Sequence, residues 1–94
     1  MNLPKISSYG DYDSANYGLN TVVVDLDKIS LYYSYKTIVA FSNKDGFKIC
    51  ENVWGTTTGK HLNWLDGGGK KNRMKYDDFQ VVLEKALVEA GFCV

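Results

Sequence analysis

The sequence is poor in the residues that most often carry chemistry. Of its 94 residues one is proline, one is histidine and two are cysteine, and Arg73 is the only arginine. Cys50 and Cys93 have no CxxC or Cys/His spacing around them, which excludes a zinc or dithiol motif. Cys50 falls in an apolar strand pattern, where a free thiol behaves as a small hydrophobe, so two free thiols are expected rather than a disulfide. His61 has only Asn63 and Asp66 near it in sequence. A lone histidine without a nucleophile, a carboxylate partner or a metal is a poor acid–base catalyst, and it is read as a packing or surface hydrogen-bonding residue. No metal set and no cofactor motif is present. Formal net charge is zero, which excludes the whole-chain basic field that draws a protein to nucleic acid or anionic lipid. No apolar run approaches a membrane span, and the first residues lack the apolar stretch of a signal peptide. The expectation is a cytoplasmic protein.

What is present is a chain 45% hydrophobic and 14% aromatic, sized for one domain with one core. Seven tyrosines against four phenylalanines give much of the aromatic surface a hydroxyl, which suits half-buried positions and interfaces. Residues 1–20 read as a turn-rich arm, with a short strand around Lys5 to Tyr9. From Thr21 the period is two: Val22, Val24 and Leu26 alternate, then Ile29, Leu31 and Tyr33, with a turn at Asp27-Lys28 between them. A turn near Ser34 to Lys36 leads to a strand from Thr37 to Phe41. Asp45-Gly46 marks a hairpin loop, and Phe47 to Trp54 reads as the returning strand. Residues 55–76 form a Gly/Thr-rich basic loop region in which Thr56 to Leu65 holds a short helix or turn, capped by a threonine and stopped by Gly67-Gly68-Gly69. Over residues 77–91, Phe79, Val82, Leu83, Ala86, Leu87 and Ala90 keep helical spacing, with Gly91 as C-cap. The predicted fold is therefore α+β: an antiparallel meander of four to five strands, 21–54 at its centre, with one C-terminal amphipathic helix packed on one face.

The middle of the chain gathers the rare residues. Gly55-Thr56-Thr57-Thr58-Gly59-Lys60-His61 follows a strand and precedes a helix, as a phosphate loop does. Its glycines stand one residue too close for that motif, and His61 occupies the place of the magnesium-binding hydroxyl. The residual reading is a tight turn, or an anion grip through Thr57, Thr58, Lys60, His61 and Asn63. Between Gly55 and Lys75 five cations face Asp66 alone, a local excess of four, and Lys70, Lys71 and Arg73 could follow a phosphate backbone. Trp54, Trp64 and Tyr76 flank that run as stacking rings or as core. Among Tyr32, Tyr33 and Tyr35, Tyr33 faces the core with Leu31. Tyr32 and Tyr35 remain for a partner surface or a homodimer, or for cross-strand pairing.

Tyr32-Tyr-Ser-Tyr-Lys-Thr-Ile-Val-Ala-Phe41 and Glu51-Asn-Val-Trp-Gly-Thr-Thr-Thr-Gly-Lys-His-Leu-Asn63, followed by Asp66-Gly-Gly and Lys-Lys-Asn-Arg, resemble a family of small uncharacterised proteins of phages, plasmids and other mobile elements. The resemblance covers most of the chain from Tyr17 onward. It implies a setting and no activity.

In that setting small single-domain proteins often act by binding, and the residues fit a non-enzymatic accessory protein. The first reading is an inhibitor or modulator of a host nucleoprotein or defence complex, in the manner of anti-CRISPR and anti-restriction proteins. It would act through the basic loop and the exposed tyrosines. The alternative is a single-stranded DNA- or RNA-binding accessory of replication or expression. A third, a small nuclease or nucleotide-handling enzyme built on Lys60 and His61, lacks convergent carboxylates for a metal.

Overall fold

The structure is a computed structural model that describes residues 4–9 and 21–92. Most of the N-terminal arm and Cys93, both read from the sequence, lie outside the described residues. Five strands form one antiparallel sheet in the order of the chain: β1 (Lys5–Ser8), β2 (Thr21–Asp25), β3 (Ser30–Ser34), β4 (Thr37–Asn43) and β5 (Gly46–Ile49). Two helices follow, α1 (Thr56–Asp66) and α2 (Tyr76–Glu89), joined through a 3-10 turn at Lys70–Asn72. The α+β meander expected from the alternation is the fold observed.

The turns explain the register. Leu26 N–H donates to Ile29 carbonyl at 2.9 Å and closes the first hairpin. Gly46, at φ 115°, supplies the left-handed residue that the β4–β5 loop needs. Between β3 and β4 that role falls to Tyr35, at φ 57°, a conformation costly for a bulky side chain. Pairing of Tyr32 with Ala40 and of Tyr33 with Ile38 leaves Val39 as an extra residue. This β-bulge turns Val39 and Ala40 to one face while Ile38 and Phe41 pack on the other.

The sequence predicts one helix on one face; the sheet instead carries a helix on each. On one side Phe79, Leu83 and Ala86 of α2 close over Ile29, Leu31, Phe41 and Cys50. On the other, Leu62 of α1 packs on Val39, Ala40 and Ile49. Ile49 and Cys50 are therefore both buried although they point to opposite faces, as expected for a strand covered on both sides. The fifth strand also ends earlier than its composition suggests. Asn52 Oδ1 accepts the Trp54 N–H at 3.0 Å and the Gly55 N–H at 3.2 Å, a local turn that competes with the ladder and ends the pairing with β4 at Cys50.

Candidate functional site

Within the Gly/Thr-rich region the short helix or turn expected over Thr56 to Leu65 is a full helix, α1. Three β-branched threonines and Gly59 are poor helix formers, so the helix depends on its surroundings. No threonine caps it: the N-cap is Gly55, without a side-chain cap bond. The turn built by Asn52 stands in for a cap, its Nδ2 donating to Gly55 carbonyl at 2.9 Å. Gly59 lies against that amide, where an added Cβ would sit 2.8 Å from Asn52 Nδ2. Gly67, at φ 65°, ends the helix.

The buried stripe of α1 is Thr58, His61 and Leu62. His61 was expected at the surface or in packing; it is fully enclosed. Its Nδ1 lies 2.7 Å from Ser34 Oγ, which is in turn 3.0 Å from Thr58 Oγ1. Thr21, paired with Ser34 across the strands, is also buried, and the Tyr35 ring covers the imidazole at 5.8 Å. Burial pushes the His61 pKa below its ordinary 6.5, because an imidazolium would lose its hydration there. A Ser–His contact of this length has the geometry of a nucleophile and base. Both side chains are closed to solvent, and in this arrangement the pair ties α1 to the sheet. Thr58 and His61 thus leave the surface on which the sequence reading placed them, because their polar atoms find partners beneath the helix.

The basic run is divided by the fold. Arg73 Nε donates to Asp66 Oδ2 at 2.6 Å and its Nη2 to Asp66 Oδ1 at 2.9 Å, with a further bond from Nη2 to Asn63 Oδ1 at 3.0 Å. The side chains of this fork are only 5% and 10% exposed. The hydrogen bonds from Arg73 hold the Asp66 carboxyl below its usual range. Lys70 and Lys71 are exposed on the 3-10 turn, Lys60 is exposed on α1, and Thr57 is half-buried. Asn63, Lys70 and Arg73 line a cleft of about 450 Å³ together with Glu51, Asn52 and Gly59. Glu51 Oε2 also accepts the Tyr76 N–H at the start of α2, at 3.0 Å. A larger hollow of about 710 Å³ lies at the far end, where Asp25, Lys28, Lys44 and Glu89 bring charges of both signs.

The aromatic residues separate into core and rim. Trp54 is half-buried against both cores and meets Tyr76 edge-on at 6.0 Å. Trp64 is 50% exposed and Tyr35 49%. Tyr32 sits between Tyr9 and Phe47 at 5.9 and 5.5 Å, and Tyr9 continues the row to Trp64 at 6.2 Å.

Sequence reasoning missed Ser34, Thr58's hydroxyl partner; Asp66, which takes up the arginine; and Glu51 and Asn52. Only Asn52, three residues before a helix-starting glycine, carries a local signal. Cys50 is enclosed, and burial with the neighbouring Glu51 charge raises its thiol to about 11, so it is inert. Among the described residues no three His, Cys, Asp or Glu side chains converge for a metal ion, and no helix is long and apolar enough to cross a membrane. No curated protein and no solved structure matches the chain. A family model of unknown function, DUF8033, matches residues 1–81, and the chain belongs to that family.

Proposed function

We propose that the protein is a non-catalytic binding module that docks on a protein or nucleoprotein partner through the outer face of α1 and the neighbouring 3-10 turn. The observation that carries this reading is the way the middle stretch is divided. Trp64 and Lys60, four apart on one side of α1, are exposed, as are Lys70 and Lys71, whereas the imidazole is enclosed and the guanidinium is neutralised by Asp66. A half-exposed tryptophan rimmed by lysines is the composition of a recognition surface. The mobile-element setting implied by the resemblance makes a host nucleoprotein or defence complex the partner class, with this protein as its inhibitor or modulator.

The test is capture from a lysate of the host that carries the gene, with and without nuclease. A partner protein should be retained by the wild type, resist nuclease, and be lost about tenfold or more on Trp64→Ala, because central tryptophans contribute about 2 kcal/mol or more at interfaces. Lys70→Glu with Lys71→Glu should weaken it further. Undiminished capture by these variants rejects this face.

A second reading, single-stranded nucleic acid as the direct ligand, draws on the same exposed ring and lysines. It requires capture that nuclease abolishes. Salt dependence should then fall by about 0.7 in slope for each of Lys70 and Lys71 changed to Ala, and should not respond to Arg73, whose charge Asp66 already holds.

A further inference from the structure

The two ends of the sheet differ. Beyond β5 the ladder is continued by another part of the chain: Met74 N–H donates to Ile49 carbonyl at 2.8 Å and Glu51 N–H to Met74 carbonyl at 2.7 Å, with Cys50 and Met74 bridged in parallel. At the other end lies β1, and among the described residues nothing pairs with its outward side. Ile6 at its centre is 74% exposed. An isoleucine on an open strand edge is what soluble proteins ordinarily avoid.

We propose that β1 pairs antiparallel with β1 of a second copy, Ile6 opposite Ile6, joining two five-stranded sheets into one. The backbone determines how. Tyr9 N–H donates inward to Thr21 carbonyl at 2.9 Å, so by alternation the groups of Ser7 and Lys5 also face β2, and those of Ser8, Ile6 and Pro4 face outward. Of the symmetric registers that bring outward groups together, centring on Lys5 sets the two lysines opposite each other and centring on Pro4 or Ser8 carries Ile6 beyond the described strand; two remain. Centring on Ser7 sets Ile6 against Ser8. Centring on Ile6 sets the two isoleucines against each other, on the face that carries Val24 and Leu31 in the same cross-strand row.

Apolar burial selects the second register. There the two Ile6 residues exchange N–H and carbonyl bonds, and each Ser8 N–H donates to the Pro4 carbonyl of the other copy. Pro4 has no N–H to leave unmatched. Lys5 stands opposite Ser7, so no like charges meet. Such a contact is isologous and closes at two copies. It is far smaller than a standard interface, so the dimer should dissociate on dilution through the micromolar range or above. This inference does not depend on the docking face of α1.

Sedimentation velocity across micromolar to millimolar concentration should carry the wild type from monomer to dimer. Ile6→Lys, which places a charge on the edge, and Ile6→Pro, whose missing N–H faces outward and leaves the β1–β2 ladder intact, should remain monomeric with unchanged circular dichroism. Amide exchange of the wild type, read by NMR, tests the edge pairing without any variant: Ile6 and Ser8 should slow as concentration rises, while Ser7 stays protected throughout; an Ile6–Ile6 contact between copies, seen in a mixed-label sample, then separates this register from the one that sets Ile6 against Ser8. A wild type that is monomeric at every concentration, a dimer that persists in both variants, or exchange at Ile6 and Ser8 that ignores concentration overturns the proposal.

Discussion

His61 and Arg73 are the residues that composition singles out, and burial takes each out of bulk water by a different route. The imidazole is neutral and bonded to a serine, so its stability contribution has a definite sign. Its folded pKa lies below the ordinary 6.5, so in the window just below that pH the unfolded chain binds the proton that the folded chain refuses. Stability is therefore complete above about pH 6.5 and falls as pH drops below it. Urea midpoints at pH 7.5 and 5.5 should differ, and His61→Gln should shrink the difference. Asp66 adds a second, lower window: its carboxyl is held below 3.8, and its contribution is lost as pH falls beneath that value. Removing the guanidinium leaves a carboxylate only 10% exposed without its fork. Arg73→Ala should lower unfolding free energy by about 1.5–3 kcal/mol. Arg73→Lys should recover only part, since an ammonium cannot make two parallel bonds to one carboxylate.

At the scale of elements, α2 is legible in full and α1 only as a short helix or turn. Helix α2 has an apolar stripe at helical spacing and ends as its sequence requires. Phe92 N–H reaches Leu87 carbonyl at 3.0 Å and Gly91 N–H reaches Val88 carbonyl at 3.0 Å, with Gly91 at φ 98°, the paired bonds of a Schellman end. Gly91→Ala should cost about 1 kcal/mol in thermal or chemical unfolding, because alanine resists that φ. Helix α1, with its threonines and glycines, reads locally as a short helix or a turn; what makes it a full helix is Asn52 before it and the sheet beneath it. Leu62→Ala should therefore destabilise by about 2–5 kcal/mol, on the scale of Phe79→Ala on the opposite face. A sheet with one covered face would lose far less from Leu62. Gly59→Ala tests the same packing from the helix side, since its methyl displaces the Asn52 amide.

For the whole molecule, the two surfaces proposed to act are the outer face of α1, for a partner, and the edge of β1 that nothing pairs with among the described residues, for a second copy. Neither follows from net charge, which is zero. The sequence by itself determined the meander, because alternation of period two punctuated by Asp27-Lys28 and Asp45-Gly46 admits little else. It also determined the C-terminal helix and its glycine stop, which are local properties of spacing and φ. Only the tertiary structure decided which of the middle residues remain available. Asp66 is seven residues from Arg73 and Ser34 is 27 from His61, and neither distance leaves a local pattern. The bulge at Val39 turned a second apolar pair toward α1, and with it a stretch that reads as a basic loop around a short helix or turn became a helix and a 3-10 turn with one enclosed histidine, one neutralised arginine and an exposed rim of lysines and tryptophan. Partner choice among polar groups is a matter of proximity in space, and proximity is what folding supplies.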